Sequence, residues 1–156
     1  MPETNAAVAD PVRVGVIGAG RIGTSHATLL AREVPGAHLV AVADARAEAA
    51  ERLAESLGCR AVAHPGALLA DDQVEGVVIA ASSTAHAELV VAAAEAGKGI
   101  FCEKPMGMTL EEIDRGTAAA DAISAARTGR LARAVGSVRA IGSSGSVTHL
   151  DSWCDR

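Results

Sequence analysis

VRVGVIGAGRIG, residues 12 to 23, runs from a β-branched apolar segment directly into glycines spaced GxGxxG. An apolar run bounded by glycine reads as a buried strand, Val12 to Ile17. Ile22, Leu29 and Leu30, with alanines between them, then give a helical stripe to about Arg32, broken by Pro35-Gly36. A lone GxGxxG is weak, but between a buried strand and a helix it predicts a phosphate loop. Gly18 allows the tight turn, Gly20 lets backbone approach a pyrophosphate, and Gly23 lets helix and strand pack closely. Gly18, Gly20, Arg21, Ile22 and Gly23 are thus candidate contacts, because the free amides and dipole of a helix start favour an anion. The plain alternative is a glycine-rich turn with no ligand.

Outward from this loop the alternation repeats. His38 to Ala43 is a second apolar run closing on Asp44, and Ala45 to Leu57 is an alanine- and glutamate-rich helix stopped by Gly58. Cys59 to Ala63 suits a short third strand, and Pro65 to Ala70 a short helix begun by proline. Gly76 to Ala81 is a fourth strand, followed by a helix from about Thr84 to Ala96 that stops at Gly97, and Gly99 to Cys102 is a fifth strand. Thr109 is placed to cap a further helix, with Glu112 where a capping box requires it. Strands that read as continuous apolar runs and alternate with helices predict an α/β fold, a doubly wound parallel sheet of the Rossmann kind.

Asp44 ends the second strand, 21 positions after Gly23, where a carboxylate accepts hydrogen bonds from an adenosine ribose. The same charge repels a 2′-phosphate, so the expected cofactor is NAD in preference to NADP. Arg46 offers a 2′-phosphate a partner, or is simply a solvated charge on the second helix.

The 156 residues fit one domain, with 49% apolar and 21% charged residues. The expected organisation is a polar leader over 1–11, a dinucleotide-binding unit over 12–126, and an irregular or poorly ordered tail over 127–156, in which Leu131 to Val135 is the last segment suited to a strand. Phe101 and Trp153 are the only aromatic residues besides histidine, and the formal charge is -5. Nucleic-acid binding is therefore not expected, since it calls for stacking platforms or a basic face. Cys59, Cys102 and Cys154 are odd in number and widely spaced, which suggests neither a disulfide framework nor a zinc site. The opening lacks the pattern of a secretory signal and no run is long enough to span a bilayer, so no membrane role and a cytoplasmic location are expected.

IFCEKPMGM, residues 100 to 108, carries the second of only two lysines, Lys98 and Lys104. A lysine at the carboxyl end of a central strand stands at the crevice where such sheets bind ligands, and desolvation tunes a lysine for proton transfer. The competing reading is a solvated strand terminus with Lys104 paired to Glu103. Cys102 reads as a small buried strand residue. His26 and His86 are candidate neighbours of a cofactor or substrate, although rings satisfied by local backbone are the simpler reading of both.

Together, GVIGAGRIGTSHATLL, VVIAASSTAHAEL and AGKGIFCEKPMGMTLEE resemble the N-terminal domain of the Gfo/Idh/MocA oxidoreductase family, which includes inositol dehydrogenases. The resemblance covers roughly residues 12 to 123, and the Glu-Lys-Pro run is its most specific piece. It departs at Ala81-Ser82, where Thr-Pro is more typical. The resemblance implies hydride transfer between NAD and a sugar or polyol, with Lys104 touching the substrate hydroxyl and helping its deprotonation. It places Ser82 and Ser83 near the nicotinamide ribose, with His86 at the usual histidine position and Glu103 beside Lys104 among the cofactor contacts. It also implies that the peptide before Pro105 is often cis.

Complete members of that family carry a second, substrate-binding domain that contributes an aspartate and a histidine. A chain of 156 residues is expected to lack it, and nothing equates His149 and Asp151 with that pair. Val135-Gly136-Ser137-Val138-Arg139 stands where a Gly-Phe-x-Arg-Arg-like motif is usual, and the resemblance ends there. One expectation is therefore the cofactor half of an oxidoreductase, acting on substrate only with a second domain. The other is a non-catalytic dinucleotide-binding module from a truncated or frameshifted reading frame. A methyltransferase using S-adenosylmethionine is a third reading, disfavoured by the Glu-Lys-Pro strand end. Apolar surface left by a missing interdomain contact predicts self-association.

Overall fold

The computed structural model describes residues 10–126. They form a five-stranded, all-parallel sheet in the order β3-β2-β1-β4-β5, as the alternation of apolar runs and helices predicts. The strands are β1 (Val12–Ile17), β2 (Ala37–Ala43), β3 (Arg60–Val62), β4 (Gly76–Ile79) and β5 (Gly99–Cys102). The helices are α1 (Arg21–Arg32), α2 (Ala47–Leu57), α3 (Pro65–Leu69), α4 (Ser83–Glu95) and α5 (Leu110–Ala126). Residues 1–9 of the expected leader, the expected tail over 127–156 and the strand suggested at Leu131 to Val135 lie outside the described residues.

Parallel strands need both faces covered, and two apolar clusters do this. Val14, Val16, Leu39, Val42 and Val78 meet Ala27 of α1 and Ala50 and Leu53 of α2. On the other face Ile17, Val77 and Ile79 meet Leu68 of α3 and Val90 and Ala93 of α4. All of β4 is buried, consistent with the lack of polar alternation in its sequence. With so few aromatic residues, small alanines let the helices lie close to the sheet.

Element ends differ from the sequence reading where side chains intervene. The second helix starts at Ala47 rather than Ala45, because Asp44 Oδ1 accepts the Arg46 N–H at 2.8 Å and holds that turn open. The fourth strand stops at Ile79 rather than Ala81: the Ala80 N–H still donates to Ile17 at 2.8 Å, and the chain then turns into α4. The capping box before α5 is present in full. Thr109 Oγ1 accepts the Glu112 N–H at 3.2 Å, and Glu112 Oε2 accepts the N–H groups of Thr109 and Met108 at 3.2 and 2.6 Å.

Strand order reverses direction between β1 and β4. The crevice beyond the carboxyl ends of those two strands is where sheets of this kind bind ligands. The loops after β1, β2, β4 and β5 all open on that edge.

Candidate functional site

The turn after β1 is built from backbone alone. Gly18 has φ +108°, a conformation that side chains disfavour, and a Cβ there would run into the Ala80 carbonyl. A Cβ on Gly23 would run into the Gly18 carbonyl, whereas one on Gly20 would meet nothing within 4 Å. Gly20 caps α1 without any side-chain hydrogen bond. The first-turn amides of a helix have no intrahelical acceptor, so Arg21, Ile22 and Gly23 leave donors beside an open approach. Open helix starts of this kind favour anions.

Asp44 sits beside this turn with its side chain 13% exposed. Its Oδ2 accepts the Ala19 N–H at 2.6 Å, and its Oδ1 accepts the Arg46 N–H at 2.8 Å. Burial pushes the carboxyl up, but those two amides and the Arg46 guanidinium outweigh burial and hold it below the ordinary aspartate value. Asp44 is therefore charged at neutral pH, and it braces the glycine turn against the end of β2. The Arg46 guanidinium stands 3.6 Å from Asp44 Oδ1 and is largely exposed.

β5, read in the sequence as a central strand, is the outermost one among the described residues. At its end the Glu103 N–H donates to the Ile79 carbonyl at 2.9 Å. The Glu103 carboxylate does not pair with the Lys104 side chain as the competing reading has it. Oε1 lies 2.6 Å from His26 Nε2 on α1, and Oε2 accepts the Lys104 backbone N–H at 3.3 Å. The His26 ring in turn meets the Phe101 ring edge-on, 5.4 Å between centroids. His26 is thus satisfied by a distant side chain rather than by local backbone. Among the described residues the Lys104 side chain has no ion-pair partner, and the residue is exposed. The Lys104–Pro105 peptide is cis. Cys102 is no nucleophile here, since burial and then the Glu103 carboxylate push its thiol up to about 12.

Ser82 and Ser83 stand at the start of α4, on the same edge of the sheet. His86, one turn further on, is 2% exposed. Its Nδ1 lies 2.7 Å from the Pro105 carbonyl and its Nε2 lies 3.0 Å from the Ala81 carbonyl, as the backbone-satisfied reading anticipates. The other lysine, Lys98, is at the opposite end of β5 and 8% exposed. Its Nζ donates to the carbonyls of Asp71 and Val74, both at 2.8 Å. Among the described residues no group of three or more His, Cys, Asp or Glu is placed to hold a metal. No helix there is long and apolar enough to cross a membrane.

Known proteins share this fold. The GFO_IDH_MocA family, an oxidoreductase family with an NAD-binding Rossmann fold, matches residues 12–126. Myo-inositol 2-dehydrogenase of Thermotoga maritima is 42% identical over 105 residues, 67% of this chain and 31% of that protein. Myo-inositol dehydrogenase from Lactobacillus casei, solved with NAD(H) and myo-inositol, superposes with a TM-score of 0.69 at 33% identity, over 72% of this chain and 34% of that one. A 3-ketoreductase from Actinomadura kijaniata, solved with NADP and TDP-benzene, gives 0.69 at 33% identity over 74% and 35%. The chain spans about a third of the length of these relatives.

Proposed function

The chain belongs to the Gfo/Idh/MocA oxidoreductase family as an NAD-binding Rossmann domain, and on that premise we propose that it supplies the cofactor half of a dehydrogenase acting on a sugar or polyol such as an inositol. One observation carries the reading. The open helix start at Gly20, the Asp44 carboxylate and the Lys104 side chain, which has no ion-pair partner among the described residues, all stand on the carboxyl edge of the sheet.

NAD, when bound, provides the hydride acceptor. The amides of Arg21, Ile22 and Gly23 face the diphosphate, with Gly18 and Gly20 leaving room for it. Asp44 accepts the hydroxyls of the adenosine ribose. Ser82, Ser83 and Glu103 stand on the nicotinamide side, with His86 behind them. Lys104 Nζ takes the proton from the substrate hydroxyl as its carbon gives up hydride. A lysine accepts a proton only when neutral, a form that desolvation by a closing substrate favours.

NAD is preferred because the Asp44 carboxylate repels a 2′-phosphate and already engages Arg46. The relative solved with NADP makes this preference worth measuring rather than assuming. Parallel titrations of NADH and NADPH by fluorescence decide it, and tighter NADPH binding overturns it.

Catalysis calls for substrate-binding groups beyond the described residues, and this chain covers about a third of its catalytic relatives. The second reading is a dinucleotide-binding module without turnover. Formation of NADH from NAD and myo-inositol by the purified chain refutes the second reading. Failure to bind NADH refutes both. Exposed Ile22, Leu29, Phe101, Met108 and Leu110 support self-association of the chain; a clean monomer by light scattering at high concentration argues against it.

A further inference from the structure

We propose that His86 is a positioning residue that ties together the two loops on the nicotinamide side and so fixes where Lys104 stands; this rests on the dinucleotide reading above. The residue is 2% exposed, and both ring nitrogens are already engaged by backbone carbonyls. Those nitrogens reach the loops from one point in the first turns of α4. Nε2 meets the carbonyl of Ala81, which precedes Ser82 and Ser83, and Nδ1 meets the carbonyl of Pro105, which follows Lys104.

Lys104 is an exposed residue between two fixed ones. On its amino side the Glu103 N–H is bonded to Ile79 in the sheet, and the Glu103 carboxylate is held by His26. On its carboxyl side the Pro105 carbonyl is held by His86, and the Met106 side chain packs against the α3–α4 core. Removing the imidazole frees the Pro105 carbonyl and the Ala81 carbonyl at once. A carbonyl only accepts, and a neutral imidazole donates from a single nitrogen while the imidazolium donates from both. The ring therefore donates to at least one of the two carbonyls and is wedged against the other. No aliphatic residue of similar volume reproduces either tie.

The prediction separates the two ends of the cofactor. Loss of this tie should weaken binding of the nicotinamide end while leaving the adenosine end, held by Asp44 and the glycine turn, unaffected. In H86L the Kd for NADH should rise about tenfold while that for ADP-ribose, which lacks nicotinamide, stays within about twofold, the scale of one lost hydrogen bond. H86N, whose amide can reproduce the Nδ1 donor toward Pro105, should recover most of the NADH affinity. A parallel loss for both ligands, or no change in either, overturns the proposal. Amide hydrogen exchange of the ligand-free chain gives a readout independent of cofactor binding. The Glu103 and Lys104 amides should exchange about tenfold faster in H86L, with α2 amides unchanged, as local opening requires. Uniform acceleration across the chain overturns the proposal; if H86L does not fold, H86N and H86Q are compared in the same way. A wild-type chain that binds neither ligand but shows the local exchange change refutes the dinucleotide reading and leaves the tie standing.

Discussion

His26 on α1 and Glu103 after β5 are 77 positions apart in the chain and 2.6 Å apart in space. The contact straps the helix that begins at the glycine turn to the strand end that presents Lys104. Both side chains are about three-quarters buried, so the bond is shielded from water without being sealed from it.

The strap should be measurable as a coupling energy. A double-mutant cycle of H26L and E103Q, followed by urea unfolding, is expected to return about 1 kcal/mol of coupling, the usual net value of a part-buried hydrogen bond. Additive behaviour of the two substitutions would show that the helix and the strand end are held by packing alone.

Lys98 and Lys104 bracket β5 and divide the work. Lys98 anchors two loop carbonyls at the amino end of the strand, so Lys98→Met takes a charged donor from both and leaves the Asp71 carbonyl only the Val74 N–H. The expected loss is roughly 2–4 kcal/mol in urea unfolding. ADP-ribose affinity should not change, because the cofactor edge is at the other end of the sheet. Lys104→Met should do the reverse, keeping stability and removing any turnover.

The positions of the strands are legible because this sheet is buried on both faces, and burial leaves unbroken apolar runs such as Gly76 to Ile79. Helix ends were less legible. Asp44 delays α2 through a bond to the Arg46 amide, and Ala80 leaves the sheet although it is as apolar as the residues before it. Within the site, glycine spacing and the Glu-Lys-Pro run carried local information that sequence displays directly. The partners of Glu103, Lys98 and His86 did not, since each bond joins segments distant in sequence or runs to a backbone carbonyl. A charged residue abutting an apolar strand, as Lys98 does, is the only hint that composition offered.

Asp44 should make stability depend on pH in a known direction. The folded chain holds this carboxyl below its ordinary value, so its contribution is complete above the unfolded-state value of about 4 and disappears as pH falls through the folded-state value. The stability difference between wild type and D44N should therefore be largest near neutral pH and shrink below about pH 4. Asp71, whose carboxyl is also held low, chiefly by Arg60, titrates in the same region but is common to both proteins. D44N should also narrow the preference for NADH over NADPH, and an unchanged preference would move discrimination elsewhere.

Gly20 and Gly23 belong to the same motif but fail differently when changed to alanine. A Cβ on Gly23 runs into the Gly18 carbonyl, whereas one on Gly20 enters open space, with φ at -76°, which any residue accepts. G23A must therefore move backbone, and overpacking of that kind costs about 1–3 kcal/mol. G20A should melt with wild type, because nothing in the ligand-free protein occupies its methyl position. Its effect should fall on the ligand: a methyl group where the diphosphate approaches should weaken NADH and ADP-ribose together by at least about tenfold. Thermal melts read the first difference and fluorescence titration the second. A G20A protein that binds both ligands as wild type would place the diphosphate away from this turn and remove the main support for the proposed site.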